Sequence, residues 1–285
     1  MLFRSVILNR IPEAVKLGRR VTLRLVVDSR EAVDALEQSG HPFPVWLKVD
    51  CGYHRAGVDP QSPAAVDLAQ RIAGSSSLHF DGILTHSGHS YHGRNRGEIR
   101  DIAEQERSVM VEFSGRLRTA LGGDFGISVG STPAMSAVAT LEGVTEARPG
   151  NYAFYDYTQV VLGSCALSDV AVTVLASVVS SQPGTNHAVI DAGALSLSKD
   201  TGSELAPRPS MGEIFRDYAS HQLRPDLRVV SVSQEHGMLG NSLPVGNRVR
   251  IVPNHSCLTV AHFDEYAVVR GDEVLDRWKI WRGRD

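Results

Sequence analysis

The sequence predicts two domains, an α/β domain with a parallel sheet followed by an antiparallel β domain. In the first half of the chain, short apolar runs alternate with helical segments, which is typical of βα units. After about Tyr157 the chain becomes strand-rich, is punctuated by Gly and Pro, and shows almost no helical pattern. Polar residues gather where the first-half runs end, at Asp28, Asp50, His86, Ser131 and Arg148.

About six strands are predicted in the first half, from the segments SVILN, TLRLVVDS, PVWLKVD, HFDGILTH, FGISVGS and GVTEARPGNY. Helices are predicted between them at Glu31–Gln38 after Ser29, at Pro63–Ile72 and at Glu98–Ala120. The strand bodies are apolar throughout, as expected when helices cover both faces of a parallel sheet. A closed βα barrel needs eight strands, so the count predicts an incomplete barrel.

The second half is predicted to be a separate β domain. Its strand-like segments are VVLGSCALSDVAVTVLASVVSSQ, HAVIDAGALSLSKD, LRVVSVSQEHGMLG, RVRIVPNHSCLTV and EYAVVRGDEVLDRWKI. We therefore divide the chain into domains at 1–157 and 158–285.

The composition argues against several classes of protein. Among 285 residues the net charge is −3, and no Lys/Arg run points to nucleic acid or an anionic membrane. No apolar run approaches the ~20 residues of a membrane span. The three cysteines (Cys51, Cys165, Cys257) are far apart, which favours a reducing compartment over a disulfide framework. We expect a cytoplasmic protein.

A histidine and a cysteine stand two residues apart in the segment PNHSCLTV, at His255 and Cys257. The neighbouring segments NRVRIV and AHFDEY look like strands, and side chains at i and i+2 leave a strand on the same face. Imidazole and thiolate suit zinc, although two ligands are fewer than a zinc site usually takes. The pair is therefore either part of a metal site or a core cysteine beside a hydrogen-bonded histidine.

The segment LKVDCGYHRAGV places Asp50, Gly52, Arg55 and Gly57 after an apolar strand. This D-x-G-x-x-R-x-G spacing resembles a motif of the alanine racemase-like barrels, the fold-type III enzymes of pyridoxal 5′-phosphate (PLP). The segments THSGHSYH, GSTPAMSA and EARPGNYAFYD resemble the same family in the same order. The segments DAGALSLSKD, SQEHG and PNHSCLT resemble the C-terminal domain of its zinc-dependent branch, the D-serine dehydratases and D-threonine aldolases. The resemblance implies an alanine racemase-type (β/α) barrel that lacks its first strands, followed by an antiparallel β domain.

A phosphate site is predicted at Gly130, Ser131 and Thr132. Their backbone N–H groups and two hydroxyls suit a phosphate, and Pro133 favours a helix start, although a plain turn explains the segment as well. The resemblance implies that Gly150 and Asn151 complete this site and that Tyr152 lines it.

Other cofactor contacts are implied by the resemblance. Arg148 would face the pyridine nitrogen, where a permanent cation keeps that nitrogen unprotonated. Arg55 would lie near the ring's 3-hydroxyl, and His86 would pack against the ring unless it is only a histidine bonded at a strand end. In the H-x-x-H-x-x-H segment we assign His89 and Tyr91 to the cofactor or substrate lining and expect His92 to be exposed.

The resemblance also implies that His255 and Cys257 hold zinc beside PLP, with water and substrate oxygens as the remaining ligands. Glu235 and His236 would then support the metal site or contact the substrate. His86 and His236 are the candidate catalytic residues.

The lysine on which PLP forms its Schiff base is not identified. In the family that this chain resembles, it ends the first barrel strand. The chain has four lysines, and none has that context: Lys16, Lys48, Lys199 and Lys279. With the low strand count, this predicts a chain shortened at its N-terminus and impaired in activity.

The function implied by the resemblance is that of a PLP- and zinc-dependent lyase acting on D-β-hydroxy amino acids, most like D-serine dehydratase. The alternatives are a D-threonine aldolase-like lyase and a non-catalytic remnant. As partners we expect a small D-amino acid substrate and a second copy of the chain in a homodimer.

Overall fold

The structure is a computed structural model that describes residues 4–282, with side chains from Val6 onward. Its internal contacts divide the chain into two compact units, with the division between Pro149 and Gly150. No helix in the described range is both long and apolar enough to cross a membrane.

The first unit is a parallel sheet whose strands follow one another in chain order from β1 to β6. Helices connect most of the strands, as the alternating pattern predicts. In chain order the elements are β1 (Arg4–Ser5), α1 (Ile11–Gly18), β2 (Leu25–Val27), α2 (Arg30–Gln38), β3 (Phe43–Lys48), α3 (Pro63–Ala73), β4 (Leu78–Leu84), α4 (Arg96–Leu121), β5 (Gly126–Val129), α5 (Thr132–Ala137) and β6 (Glu146–Ala147).

The three helices predicted in this unit are confirmed, and polar caps start each of them. Ser29 Oγ accepts the Ala32 N–H of α2 at 3.3 Å, and Asn95 Oδ1 accepts the Glu98 N–H of α4 at 2.9 Å. Ser62 caps α3, where Pro63 occupies the first turn without losing a hydrogen bond. The first predicted strand, SVILN, is wrong over most of its length: β1 ends at Ser5, and a 3₁₀ turn covers Leu8–Arg10.

The side chains of strand β3 alternate between the two faces of the sheet. Phe43, Val45 and Leu47 belong to the main core, beneath the helices. Trp46 lies in a different cluster, with Val26 and Leu84. Because alternate residues of a strand point to opposite faces, the sheet has one face packed on helices and another that carries Trp46.

The second unit is built on a closed antiparallel barrel with the strand order β10-β11-β8-β7-β12-β9. Among residues 4–282, strands β13 and β14 pair only with each other, and β14 is exposed along its whole length. In chain order the elements are α6 (Tyr157–Val161), β7 (Val174–Ser180), β8 (Ala188–Ile190), α7 (Ala194–Leu197), β9 (Gly212–Phe215), β10 (Leu223–Val232), β11 (Gly237–Leu239), β12 (Arg248–Val252), α8 (Ser256–Val260), β13 (Glu265–Arg270) and β14 (Glu273–Lys279).

Three strand predictions in this unit are wrong in part. The segment HAVIDAGALSLSKD forms a strand only at Ala188–Ile190, and helix α7 follows at Ala194–Leu197. The segment that begins at Val160 opens inside helix α6, and its strand starts only at Val174. The segment SCLTV forms helix α8, which His255 precedes, so His255 and Cys257 are not on a strand. The antiparallel β character predicted for the unit is confirmed, because its helices are only four or five residues long.

Candidate functional site

In the first unit, the predicted cofactor residues come together where β4, β5 and β6 end. His86 Nδ1 lies 2.9 Å from the Gly130 carbonyl oxygen, to which it donates. Burial lowers the pKa of His86 below its usual value, and the Gly130 bond opposes that shift only in part. The imidazole is therefore neutral near neutral pH, and its Nε2 is left as a proton acceptor.

Arg148 is fixed at the same strand ends. Its Nε donates to Ser128 Oγ at 2.6 Å, and another guanidinium nitrogen donates to the Thr85 carbonyl. Glu146 Oε1 lies 3.8 Å from Nε and accepts a hydrogen bond from Ser128. Burial lowers the pKa of Arg148, but a guanidinium remains a cation at any physiological pH. These contacts hold a permanent positive charge in one orientation.

The loop of Gly130, Ser131 and Thr132 is shaped by its glycine. Gly130 has a φ of +132°, and a Cβ there would lie 2.9 Å from the backbone nitrogen of Arg148. Ser131 caps α5, accepting the Ala134 N–H at 3.2 Å, and also bonds to Ser90 Oγ at 2.7 Å. The Ser131 hydroxyl is therefore used within the protein, and so is the Gly130 N–H, which donates to a buried carboxyl of α4.

Glu106 of α4 was missed by the sequence reasoning. Its side chain is fully buried, and Oε1 accepts the Ser87 N–H at 3.0 Å and the Gly130 N–H at 3.1 Å. Burial raises the pKa of this carboxyl. A signal was present, because Glu106 interrupts an otherwise apolar helical stripe at the spacing i, i+3, i+4, formed by Ile99, Ala103, Met110 and Phe113.

The loop after β3 is rich in polar and aromatic side chains. Asp50 accepts the N–H groups of Gly52 and His54, both at 2.9 Å, which folds the D-x-G-x-x-R-x-G segment into a turn. Arg55 is exposed, and its guanidinium lies 5.2 Å from the centre of the Tyr53 ring.

The histidine-rich segment after β4 forms a 3₁₀ turn, Gly88–His92. The ring of Tyr53 stacks on His89 at 6.1 Å and meets His86 edge-on at 6.0 Å. Tyr91 is partly buried, and His92 is exposed, as predicted. His89 and His86 thus share one aromatic neighbour.

In the second unit, Gly150, Asn151 and Tyr152 form a short turn with different surroundings. Asn151 is buried and donates from Nδ2 to Asp156 Oδ2 at 2.5 Å and to Ser256 Oγ at 3.1 Å. Asp156 also accepts the Ser256 N–H at 2.9 Å. The amide of Asn151 is therefore tied to the residues around Cys257, while Gly150 and Tyr152 are exposed.

His255 and Cys257 lie at the start of α8, and we call the segment His255–Cys257 the His–Cys turn. His255 precedes the helix with an extended backbone, and its Nδ1 lies 2.9 Å from Asp200 Oδ2. Its hydrogen bonds to Asp200 and Cys257 raise the pKa of His255 to about 10. The same contact with His255 lowers the pKa of the exposed Cys257 thiol. The two side chains are therefore hydrogen-bonded to each other.

Asp200 was not singled out in the sequence, although it ends the quoted segment DAGALSLSKD. The hydrogen bond to His255 lowers its pKa, so it is a carboxylate at neutral pH. Within residues 4–282, no group of three His, Cys, Asp or Glu side chains is placed to hold a metal ion. The His–Cys turn presents two potential metal ligands, His255 and Cys257, and the Asp200 carboxylate is hydrogen-bonded to the first of them.

Glu235 and His236 lie between β10 and β11 and are exposed. Their backbone packs against Gly193, where a Cβ would lie 2.4 Å from the backbone nitrogen of His236. In the part of the chain that the structure describes, no hydrogen bond or ion pair joins the His236 side chain to the His–Cys turn. The predicted contact of His236 with the metal site or substrate stays a prediction.

Two protein families match the chain by sequence. Residues 4–158 match the N-terminal domain of alanine racemase, and residues 171–269 match a putative serine dehydratase domain. D-serine dehydratase of Dictyostelium discoideum is 37% identical over 258 residues, which cover 83% of this chain and 64% of that protein. D-threo-3-hydroxyaspartate dehydratase of Delftia sp. (strain HT23) is 33% identical over 292 residues, which cover 96% of this chain and 76% of that protein. The matched region is thus under two thirds of the length of the Dictyostelium relative.

Solved structures agree with these matches. D-threo-3-hydroxyaspartate dehydratase from Delftia sp. HT23 superposes with a TM-score of 0.89 at 33% identity, covering 97% of this chain and 77% of that one. Two variants of a D-threo-3-hydroxyaspartate dehydratase, one with a histidine replaced by alanine and one with a cysteine replaced by alanine in the metal-free form, also give a TM-score of 0.89. D-threonine aldolase from Filomicrobium marinum superposes with a TM-score of 0.82 at 27% identity, covering 98% of this chain and 75% of that one. The chain therefore belongs to the D-serine dehydratase and D-threonine aldolase-like family, whose N-terminal domain is of the alanine racemase type.

Proposed function

We propose that this protein is a PLP- and zinc-dependent lyase that acts on D-β-hydroxy amino acids and converts D-serine to pyruvate and ammonia. The observation that carries the proposal is the His–Cys turn, in which Asp200 holds the imidazole of His255 beside the Cys257 thiol. Relatives named as dehydratases at 33% and 37% identity support the reaction class.

The donor set of the His–Cys turn fits zinc. Neutral imidazole and thiolate are preferred zinc ligands, and two protein ligands leave positions open for water and substrate. Asp200 takes the Nδ1–H of His255 and so directs Nε2 toward a metal, as carboxylates behind zinc-bound histidines commonly do. The histidine and cysteine replaced in the two D-threo-3-hydroxyaspartate dehydratase variants stand two positions apart, the same spacing as in this chain. Zinc, when bound, supplies a Lewis acid for the β-hydroxyl that leaves.

The residues of the first unit fit PLP. Gly130 lets the loop pack directly against the Arg148 backbone, which keeps the loop and the Arg148 guanidinium at the same strand ends. Arg148 presents a fixed cation that cannot give up its proton, and the neutral His86 presents Nε2. PLP, when bound, supplies the ring that delocalises the electron pair left at Cα. Contacts of Gly150, Asn151 and Tyr152 with its phosphate remain part of the proposal.

A side-by-side assay tests this function. Purified protein is loaded with PLP and zinc and given D-serine, D-threo-3-hydroxyaspartate, D-threonine or L-serine. We expect keto-acid formation from D-serine, none from L-serine, and loss of activity in Cys257→Ala. Activity that is equal with and without zinc, or unchanged in Cys257→Ala, would contradict the metal-dependent mechanism.

D-Threonine aldolase chemistry is the second candidate, supported by the 0.82 TM-score to the Filomicrobium enzyme. Aldol cleavage requires a base that removes the β-hydroxyl proton, and His86 with its lowered pKa is one such group. The thiolate ligand of the His–Cys turn favours the dehydratase, because thiolate selects zinc over harder ions. Faster release of acetaldehyde from D-threonine than of pyruvate from D-serine would make the aldolase the correct assignment.

A further inference from the structure

Strand β12 carries two arginines on the outer surface of the barrel in the second unit. Val249 and Ile251 belong to the barrel core. Alternate residues of a strand point to opposite faces, so Arg248 and Arg250 point away from that core. On the neighbouring strand β7, Leu175 pairs with Arg250 and is exposed. The outer face of β12 therefore presents two permanent cations next to each other.

A cavity of about 140 Å³ lies against these two arginines. Two further arginines line it, Arg216 directly after β9 and Arg224 on β10, together with one carboxylate, Asp217. Arg224 is paired with Asp226 at 2.7 Å. A water molecule takes about 30 Å³ in the liquid, so the space admits an ion of several non-hydrogen atoms. We call this space the arginine cavity.

Arg250 is held in one orientation within this group. Its Nε donates to Thr173 Oγ1 at 3.2 Å, and Nη1 donates to the Tyr218 carbonyl oxygen at 2.7 Å. The guanidinium carbon lies 4.5 Å from the centre of the Phe215 ring. A guanidinium has five N–H donors, so donors remain after these two bonds. The cation is thus fixed by its surroundings before any ligand arrives.

The arginine cavity has an excess of positive charge. Among the side chains that the structure describes, no ion pair joins Arg216, Arg248 or Arg250 to an Asp or Glu. The carboxylate of Asp217 is engaged elsewhere, because its Oδ1 accepts two backbone N–H groups of its own turn. Burial lowers the pKa of Arg250, yet a guanidinium stays charged at any physiological pH. In a chain of net charge −3, this cavity is a local reversal of sign.

We propose that the arginine cavity binds a phosphate group, as inorganic phosphate or as the end of a small monoester. A phosphate has three or four oxygens that accept hydrogen bonds from guanidinium groups on different strands, whereas a single guanidinium already satisfies a carboxylate. Its charge of about −1.5 to −2 at pH 7 matches the unpaired cations. The site shares no residue with the loop Gly130–Thr132 or with the His–Cys turn, so it does not rest on the proposed function.

Arginine footprinting tests the proposal. The purified chain is treated with phenylglyoxal, which modifies accessible guanidinium groups, and modified peptides are quantified by mass spectrometry. The reaction is run in chloride, acetate, inorganic phosphate or methyl phosphate at equal ionic strength. We expect both phosphates to protect Arg216 and Arg248 in a saturable way, and chloride and acetate to protect neither. Stronger protection by methyl phosphate than by inorganic phosphate identifies a monoester as the ligand.

Two variants locate the binding energy. Arg250→Gln should raise the phosphate concentration that half-protects Arg216 by about tenfold or more, because it removes a charge-assisted donor. Arg248→Gln changes an exposed side chain and gives the same test if Arg250→Gln does not fold. Arg270, exposed at the end of β13, is the control: it should stay reactive in phosphate, and Arg270→Gln should leave the half-protecting concentration unchanged.

Three results would overturn the site. The first is no protection by phosphate, or no effect of either cavity variant. The second is equal protection by acetate or equal protection of Arg270, which would reduce the effect to general screening. The third is a reactivity of Arg248 that falls as the protein concentration rises without phosphate, which would assign the cavity to an acidic group of a second copy.

Discussion

Glu106 and Gly130 are joined by a hydrogen bond of 3.1 Å, from the glycine N–H to Oε1 of a fully buried carboxyl. The same oxygen accepts the Ser87 N–H, so one side chain of α4 connects the loops that follow β4 and β5. The Gly130 carbonyl in turn accepts from His86. Glu106 thus positions the phosphate-binding candidate and the imidazole together.

Replacing Glu106 by glutamine should change how stability depends on pH. Because burial raises the pKa of Glu106 above 4.5, its contribution to folding is complete below about pH 4.5 and is lost as pH rises through the folded-state value. The free energy of unfolding of wild type, minus that of Glu106→Gln, should therefore fall as the pH of the urea titrations is raised above about 4.5.

Glu104→Gln is the matched control on the same helix. The hydrogen bond to Arg107 lowers the pKa of Glu104. The free energy of unfolding of wild type, minus that of Glu104→Gln, should therefore rise with pH, which is the opposite sign. A wild-type minus Glu106→Gln difference that does not vary with pH would show that Glu106 does not titrate as a buried carboxyl.

Cys257 should be the cysteine that reacts and binds metal. Burial raises the pKa of Cys51 to about 11 and that of Cys165 to about 12, whereas contact with His255 lowers the pKa of Cys257. Only the thiolate reacts with iodoacetamide or binds zinc. In metal-free protein at neutral pH, mass spectrometry should find Cys257 alkylated first, and added zinc should protect it.

Elemental analysis adds a second measurement. Cys257→Ala should lose the zinc that wild-type protein carries, while Cys165→Ala should keep it. Equal zinc in all three proteins would place the metal elsewhere.

Asp200→Asn should weaken zinc binding without removing a ligand. Asp200 holds His255 Nδ1 at 2.9 Å, and loss of such a supporting carboxylate typically costs about 10–100-fold in metal affinity. Competition with a chelator measures the change. Asp226→Asn is the control, because Asp226 pairs with Arg224 at 2.7 Å at the start of β10. An unchanged affinity in Asp200→Asn would mean that His255 needs no partner to bind the metal.

Gly130→Ala should damage both stability and PLP binding. The φ of Gly130 is +132°, and an added Cβ would lie 2.9 Å from the backbone nitrogen of Arg148, so the site has no room for one. Such strain costs about 1–3 kcal/mol. Gly115→Ala, in open space on α4, should be neutral or slightly stabilising. Denaturant titration and PLP titration of both variants test this, and a Gly130→Ala protein as stable as wild type would contradict it.

Local patterns in the sequence predicted three of the helices and most strands of the first unit. Ser29, Ser62 and Asn95 are caps whose partners lie two or three residues away, so the signal is contained in a short segment. The His–Cys turn was predicted as a strand, because apolar residues on both sides suggested one. Its helix is held by Asn151 and Asp156, whose bonds to Ser256 span 105 and 100 residues. No local pattern reports such contacts.

The sequence predicted the site residues that belong to a recognisable motif. It did not reveal the residues whose role depends only on which side chains they contact in the folded protein. His86, Gly130 and Arg148 stand in quoted motifs, and the structure brings them together at the strand ends. Glu106 and Asp200 act through the residues they hold, and they are recognised only when those partners are known. The cytoplasmic location and the homodimer stay predictions.

The hairpin of β13 and β14 stands apart from the barrel of the second unit, since its two strands pair only with each other. Every barrel strand has partners on both sides, so its amide hydrogens exchange with solvent only when the barrel opens as a whole. A two-stranded sheet is marginal by itself, and its ladder opens by local fraying. Deuterium should therefore enter Glu265–Lys279 well before it enters Arg248–Val252, although only the twelve residues 253–264 separate the two segments.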